Sequence, residues 1–266
     1  MKIRFALFVA IVATLASFAI SSARSQTNKS SAAGASLSDS ERELLSEINQ
    51  ARANPQLYVS YLEKLKPLFS GNVYTQSGRT PLTTQEGWRA VDDAINFLKT
   101  LKPLPPLIAS NGLCLAALTH VKDQSGTGAT GHRSINSNMI EDRVKPFGRW
   151  EGAIGENITY GNDSARERLL TWLIDDGVPT RGHRRRLLSS DYQVAGISCG
   201  AHPQFSAMCV LTLAGGFTDF DPAAPKTGTT PTKTDTTTAA TTTKTPAKTT
   251  PGKPASTKSK PAPRKI

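Results

Sequence analysis

The chain contains no glycine-rich phosphate loop, no Gly-x-Ser-x-Gly elbow and no His-Glu-x-x-His helix. Their absence removes P-loop nucleotide hydrolysis, an α/β-hydrolase serine and a zincin protease from consideration. No internal repeat is present, which excludes a solenoid. Only three cysteines occur, Cys114, Cys199 and Cys209, so at most one disulfide forms within the chain. Cys114 lies in an apolar run with no cation beside it, which argues against a reactive thiolate. Acids are scarce at one end. Beyond Asp221 there are nine basic residues and a single acid, Asp235. Eight of the eleven net positive charges therefore sit in that segment, and the remainder of the chain is close to neutral. The basic pI of 9.7 is then no sign of a nucleic-acid-binding fold.

The two ends differ from the middle. Lys2 and Arg4 precede an apolar run from Phe5 to Ile20, followed by small residues at Ser21-Ser22-Ala23. This pattern predicts a secretory signal peptide over residues 1–25, and hence a secreted, extracellular or periplasmic protein. Residues 26–36 read as a linker. Residues 221–266 are rich in Thr, Pro and Lys, with too few large apolar groups to offset the entropy of folding, and are expected to form a disordered basic spacer. Residues 37–220 form the expected folded domain, a comfortable length for a single core.

Within it, Ser38-Asp39-Ser40-Glu41 fits a capping box before the apolar stripe Leu44, Leu45, Ile48. Asn54-Pro55 interrupts that helix, and Tyr58, Tyr61, Leu62 and Leu65 suggest a second. Gly71 to Pro81 reads as a loop. Trp88, Val91, Ile95 and Leu98 have helical spacing, as has the segment from Asn111 to Ser125, where His120 takes a structural role. Ser164 to Glu167 is a second capping box, opening a helix with Trp172 that ends near Gly177. Residues 194–199 and 205–213 read as two strands of a hairpin, which places Cys199 and Cys209 for pairing. Cys114 is then a small buried hydrophobe. His202, in the turn between these strands, is expected to be solvated.

Three segments carry chemistry: Gly131-His132, Gly155-Glu156-Asn157-Ile158 and Gly182-His183-Arg184. Two imidazoles and a carboxylate suit a divalent metal, since Zn²⁺ accepts neutral His nitrogen and Glu oxygen. A lone His or Glu near a loop is ordinarily a surface residue, so the reading rests on the three together. Asp175 and Asp176 close the Trp172 helix, where acids oppose the macrodipole at a cost of about 0.3–1 kcal/mol. They pair with Arg181, Arg184, Arg185 or Arg186, or they serve a site.

Residues 44–52, these three segments, the Trp172 helix and the closing hairpin together resemble the CAP superfamily (SCP-like: cysteine-rich secretory proteins, antigen 5, plant pathogenesis-related proteins), in the form of a bacterial exported member. The resemblance implies an α+β fold, a three-layer α-β-α sandwich, with a cleft lined by two histidines and two acids. His132, Glu156 and His183 match three of these. The fourth is usually Glu, three residues after the tryptophan. Here it is Asp175, one methylene shorter, with Asp176 as a fallback. Residues 67–106 are longer than in a minimal member and read as an insertion. The expected function is a secreted, monomeric binding module whose His132, Glu156, His183 and Asp175 hold a divalent metal, Zn²⁺ in particular. Its expected partner is a lipid, glycan or protein of the cell envelope or extracellular space. The alternative is a metal-assisted peptidase or nuclease with Glu156 as general base, or Asp175 if Glu156 is a ligand.

The composition beyond Asp221 gives a direct prediction. Ending the chain there leaves the melting temperature nearly unchanged, as read by calorimetry; a drop of many degrees would show that the tail packs on the domain.

Overall fold

The computed structural model describes residues 37–221. The expected leader, the linker and the tail beyond Asp221 lie outside the described residues.

Ser38 caps the first helix, α1 (Asp39–Ala53), and Glu41 reaches back to the Ser38 amide, completing the box expected from sequence. Leu44, Ile48 and Ala51 turn inward. Asn54 ends α1 and caps α2 (Pro55–Glu63), with Pro55 in the first turn, where its missing N–H is no loss. The insertion contributes a short antiparallel sheet of β1 (Phe69–Ser70), β2 (Val73–Tyr74) and β3 (Leu82–Thr83). The stretch expected to be a loop, Gly71 to Pro81, thus contains the strand β2, paired with β1 and β3 on either side of it. Two-residue strands are too short to show alternation, so sequence periodicity missed them. Then follow α3 (Trp88–Thr100), β4 (Ile108–Ala109) and α4 (Asn111–Thr127).

Next come α5 (Ile140–Val144) and β5 (Gly148–Tyr160), then α6 (Ala165–Ile174) under its own capping box. A short α7 (Gly182–Leu187) precedes the hairpin of β6 (Val194–His202) and β7 (Ser206–Asp219). The main sheet has the order β4-β6-β7-β5, with β4 parallel to β6 and the other pairs antiparallel. One face packs Ala195, Ile197, Cys209, Leu211 and Leu213 against α1, α2, α3 and α6. The other packs Met208, Val210 and Ala214 against α4 and α5. This is the expected three-layer α-β-α arrangement, each face of the sheet buried by a helical layer.

Cys199 and Cys209 stand directly opposite in the β6–β7 ladder and are joined by a disulfide, as expected. Cys114 is free and buried. The buried guanidinium of Arg52 donates to the carbonyls of Pro105, Leu187, Ser189 and Tyr192 and so fixes the segment that follows α7. Among the described residues no helix is long and apolar enough to cross a membrane.

The long strand β5 was not expected. Gly148, Gly152 and Gly155 break its pattern, a register shift falls between Glu151 and Ile154, and polar Glu156 and Asn157 occupy buried positions. Glu156 is therefore a strand residue, not a residue near a loop.

Helix α4 lies so close to β6 that a methyl on Gly196 would sit 2.1 Å from the Leu113 carbonyl carbon. Gly196→Ala is expected to destabilise the domain by about 1–3 kcal/mol through overpacking. Urea denaturation checks this, and an unchanged midpoint would contradict the close approach.

Candidate functional site

Strand β5 is the outer strand of the sheet, and its side chains alternate between the two faces. Each face carries half of the candidate site.

The first half faces α4 and α5. Glu156 is 4 % exposed and both of its oxygens are engaged. His132 Nδ1 lies 2.9 Å from Oε1, and Arg143 Nη2 donates to Oε2 at 2.5 Å. Burial alone would push the Glu156 carboxyl up. The His132 hydrogen bond and the Arg143 charge outweigh it and hold the pKa below the usual range. Arg143 also donates to the carbonyls of His132 and Asn138, so one cation binds both the strand and the loop carrying His132.

That loop is held at several further points. Gln124 Nε2 donates to Gly131 O, and His120 Nε2 lies 2.9 Å from the same oxygen. The Gly131 amide donates to Tyr160 Oη, which donates in turn to Gln124 Oε1. His120 is fully buried, as a structural histidine should be, and burial lowers its pKa so that it stays neutral. His202 corrects the expectation that it is solvated. It is 2 % exposed, and Nε2 donates to Ala129 O at 3.0 Å. A hairpin turn is ordinarily exposed, but this one folds against the His132 loop.

The second half faces α6 and α7. Asp175 ends α6 in the left-handed conformation, with φ 54°. Asn and Asp tolerate that region better than most residues. There Oδ1 meets His183 Nδ1 at 2.6 Å, and Oδ2 accepts the His183 amide at 2.9 Å. The short side chain therefore reaches its partner directly. Asp176 is no substitute: it accepts the amides of Gln85 and Glu86 and anchors the middle of the insertion, just before α3. The expected pairing of these acids with Arg181, Arg184, Arg185 or Arg186 does not form among the described residues. Arg181 meets them only at the Asp175 carbonyl and its charge is paired with Glu86 and Asp93, and Arg184 pairs with Asp93. Asn157 joins the halves, donating from Nδ2 to His183 O at 3.1 Å. Trp172 Nε1 donates to Ile158 O, satisfying a carbonyl of the same strand.

The structure thus gathers the four expected residues into two separate imidazole–carboxylate pairs. Among the described residues no three His, Cys, Asp or Glu side chains are grouped to hold one metal ion. The donor chemistry fits a metal only through the imidazoles. Each ring spends Nδ1 on a buried acid, and neither Nε2 has a partner among the described residues. A carboxylate behind a ligating imidazole is a common outer-shell arrangement. Sequence reading missed Arg143 and Asn157. The available signal for Arg143 was a cation set between the apolar Ile140 and Val144; Asn157 lay inside a motif already noticed. A cavity of about 440 Å³ lies elsewhere, between α1, the insertion and α6.

Breaking the Arg143–Glu156 pair leaves the buried Glu156 charge without its arginine. Arg143→Met is expected to cost about 3–5 kcal/mol, and Glu156→Gln in the same chain to recover part of it. The lowered Glu156 pKa adds stability that is present above its ordinary value of 4.5 and lost as pH falls toward the lower folded value. Denaturant midpoints between pH 7 and 3 check both points. A cost under about 1 kcal/mol for Arg143→Met would contradict the pairing.

Three kinds of comparison bear on this geometry. The family model described as CAP, the cysteine-rich secretory protein family, matches residues 45–213. No curated protein matches. Among solved structures the chain is similar to an extracellular protein containing an SCP domain from Bacillus anthracis, at 22% identity and TM-score 0.34, covering 42% of this chain and 34% of that one. It thus spans about a third of that protein's length. It is also similar to an outer surface protein of Borrelia burgdorferi, at 13% identity and TM-score 0.36, covering 62% and 93%. A third is a cysteine-rich secretory protein of Staphylococcus aureus, at 16% identity and TM-score 0.29, covering 58% and 48%. With the family model spanning well over half of its residues, including His132, Glu156, Asp175, His183 and both half-cystines, the chain belongs to the CAP, or cysteine-rich secretory protein, family.

Proposed function

We propose that the chain is an exported binding module in which His132 and His183 hold a divalent metal, Zn²⁺ foremost, through Nε2. Glu156 and Asp175 act as the carboxylates that orient the two rings. The observation that carries this reading is the repeated pairing: in each half a buried acid meets Nδ1 and Nε2 is left without a partner. The acid fixes the tautomer and the orientation of the ring. When bound, the metal supplies a Lewis-acidic point for an oxygen or nitrogen of the partner molecule. Export is inferred from the charged and apolar pattern of residues 1–25.

The hydrolase reading is less well supported. A general base needs a free oxygen and a pKa near the working pH. Both Glu156 oxygens are engaged and its pKa is lowered. Asp175 is likewise bonded through both oxygens. The protein's own groups therefore orient the rings, and the module binds its partner without turning it over.

Calorimetric titration of the chain with Zn²⁺ is expected to give saturable one-to-one binding that His183→Ala abolishes. Asp175→Asn should weaken it about 10–100-fold with the fold retained, as loss of outer-shell partners does elsewhere. Binding that His183→Ala leaves intact, or no binding at all, would refute the metal reading.

A further inference from the structure

The face of β5 that carries Asn157 also carries Gly155, two positions earlier. A methyl built on Gly155 would lie 2.8 Å from Tyr192 Oη and 3.0 Å from Arg186 Cδ. A methyl built on Gly182 would lie 3.4 Å from Arg186 Nη1. Arg186 therefore runs from Gly155, next to Glu156, toward Gly182, next to His183. Its side chain spans two of the three glycine-led segments of the site.

Neither of these polar groups is spent on the protein. The Arg186 guanidinium and the Tyr192 hydroxyl have no hydrogen-bond or ion-pair partner among the described residues. Arg143, Arg181 and Arg184 are by contrast each tied to a carboxylate, and Arg185, unpaired among the described residues, is exposed to solvent. Asp175, the site acid on this face, is already engaged by His183, and Glu156 lies on the opposite face of β5. Both unpartnered groups are half-buried, which weakens competition from water. The backbone around them is held as well, because Arg52 donates to the carbonyls of Leu187, Ser189 and Tyr192. A guanidinium and a phenol that pack together over Gly155 with their donors unspent suit an oxyanion, which guanidinium recognises by paired N–H donors.

We propose that Arg186 and Tyr192 form an oxyanion subsite over Gly155, beside His183, that takes the carboxylate, phosphate or sulfate group of the ligand. The inference deepens the proposed function by naming the ligand class as acidic. It rests on that reading only in placing the imidazoles at the same ligand. Arg186 supplies the charge and the paired donors. Tyr192 supplies one O–H donor. Gly155 leaves the space in which the two side chains meet.

The test uses the full chain free of metal, titrated calorimetrically with inorganic phosphate, sulfate and acetate at about 0.15 M chloride, where the Debye length is about 8 Å. The basic tail is common to every variant, so it cancels in the comparison. Arg186→Ala is expected to weaken binding of the preferred anion about tenfold or more, with Arg186→Lys in between. Tyr192→Phe should weaken it a few-fold, and Gly155→Ala should weaken it by pushing Tyr192 and Arg186 apart. The ranking of the three anions identifies which group the subsite takes. Zn²⁺ affinity of Arg186→Ala should stay within about twofold of wild type, which separates this subsite from the metal reading. Unchanged anion binding in Arg186→Ala, or no saturable binding of any of the three anions, would overturn the proposal whatever the Zn²⁺ titration gives.

Discussion

One carboxylate holds much of the site together. Glu156 projects from a strand at the border of the sheet, and such a strand has no neighbour on its outer side to order it. The side chain accepts a hydrogen bond from Arg143 and pairs with His132. Arg143 then reaches the backbone of the loop that carries His132. A buried ion pair of this kind need not add net stability, because desolvating both charges offsets their attraction. Its effect is positional. Loop, short helix and strand can satisfy these charges in one arrangement, and that arrangement points an imidazole outward.

The second half solves the same problem by different means. Here the acid is not on the sheet but at the end of α6, in a left-handed residue whose carboxylate bonds both the ring and the amide of His183. A longer side chain at that position would have to fold back on itself to make both bonds. The acids that look unfavourable at a helix C-terminus are thus explained: Asp175 caps and orients α7, and Asp176 holds the insertion. Local preference was overridden by partners distant in sequence, which is what a functional or anchoring position looks like. Arg52 completes the frame from the opposite side by gathering the carbonyls that follow α7.

Much of the fold was legible because its signals are local. Both capping boxes, the Asn54-Pro55 break and the alternation along the closing hairpin depend on residues a few positions apart, and each appears where expected. The disulfide followed from the hairpin register. Strand β5 was not legible, because its polar residues serve neighbours in α5 and α7 instead of a core, and its glycines mimic a loop. The role of the acids was not legible either. Composition names possible metal ligands, but only the geometry separates a ligand from the group behind it. Arg143, His202 and the Arg186–Tyr192 pair escaped for the same reason, since their meaning comes from contacts across the fold.

The central claim is that each site imidazole carries its proton on Nδ1, bonded to an acid, and presents a bare Nε2. Imidazole ¹⁵N spectra of His132 and His183 in the metal-free chain near pH 7.5 test it most directly. The account predicts protonated Nδ1 and unprotonated Nε2 in both rings. Rings carrying the proton on Nε2, or averaging between tautomers as free histidine does, would contradict it.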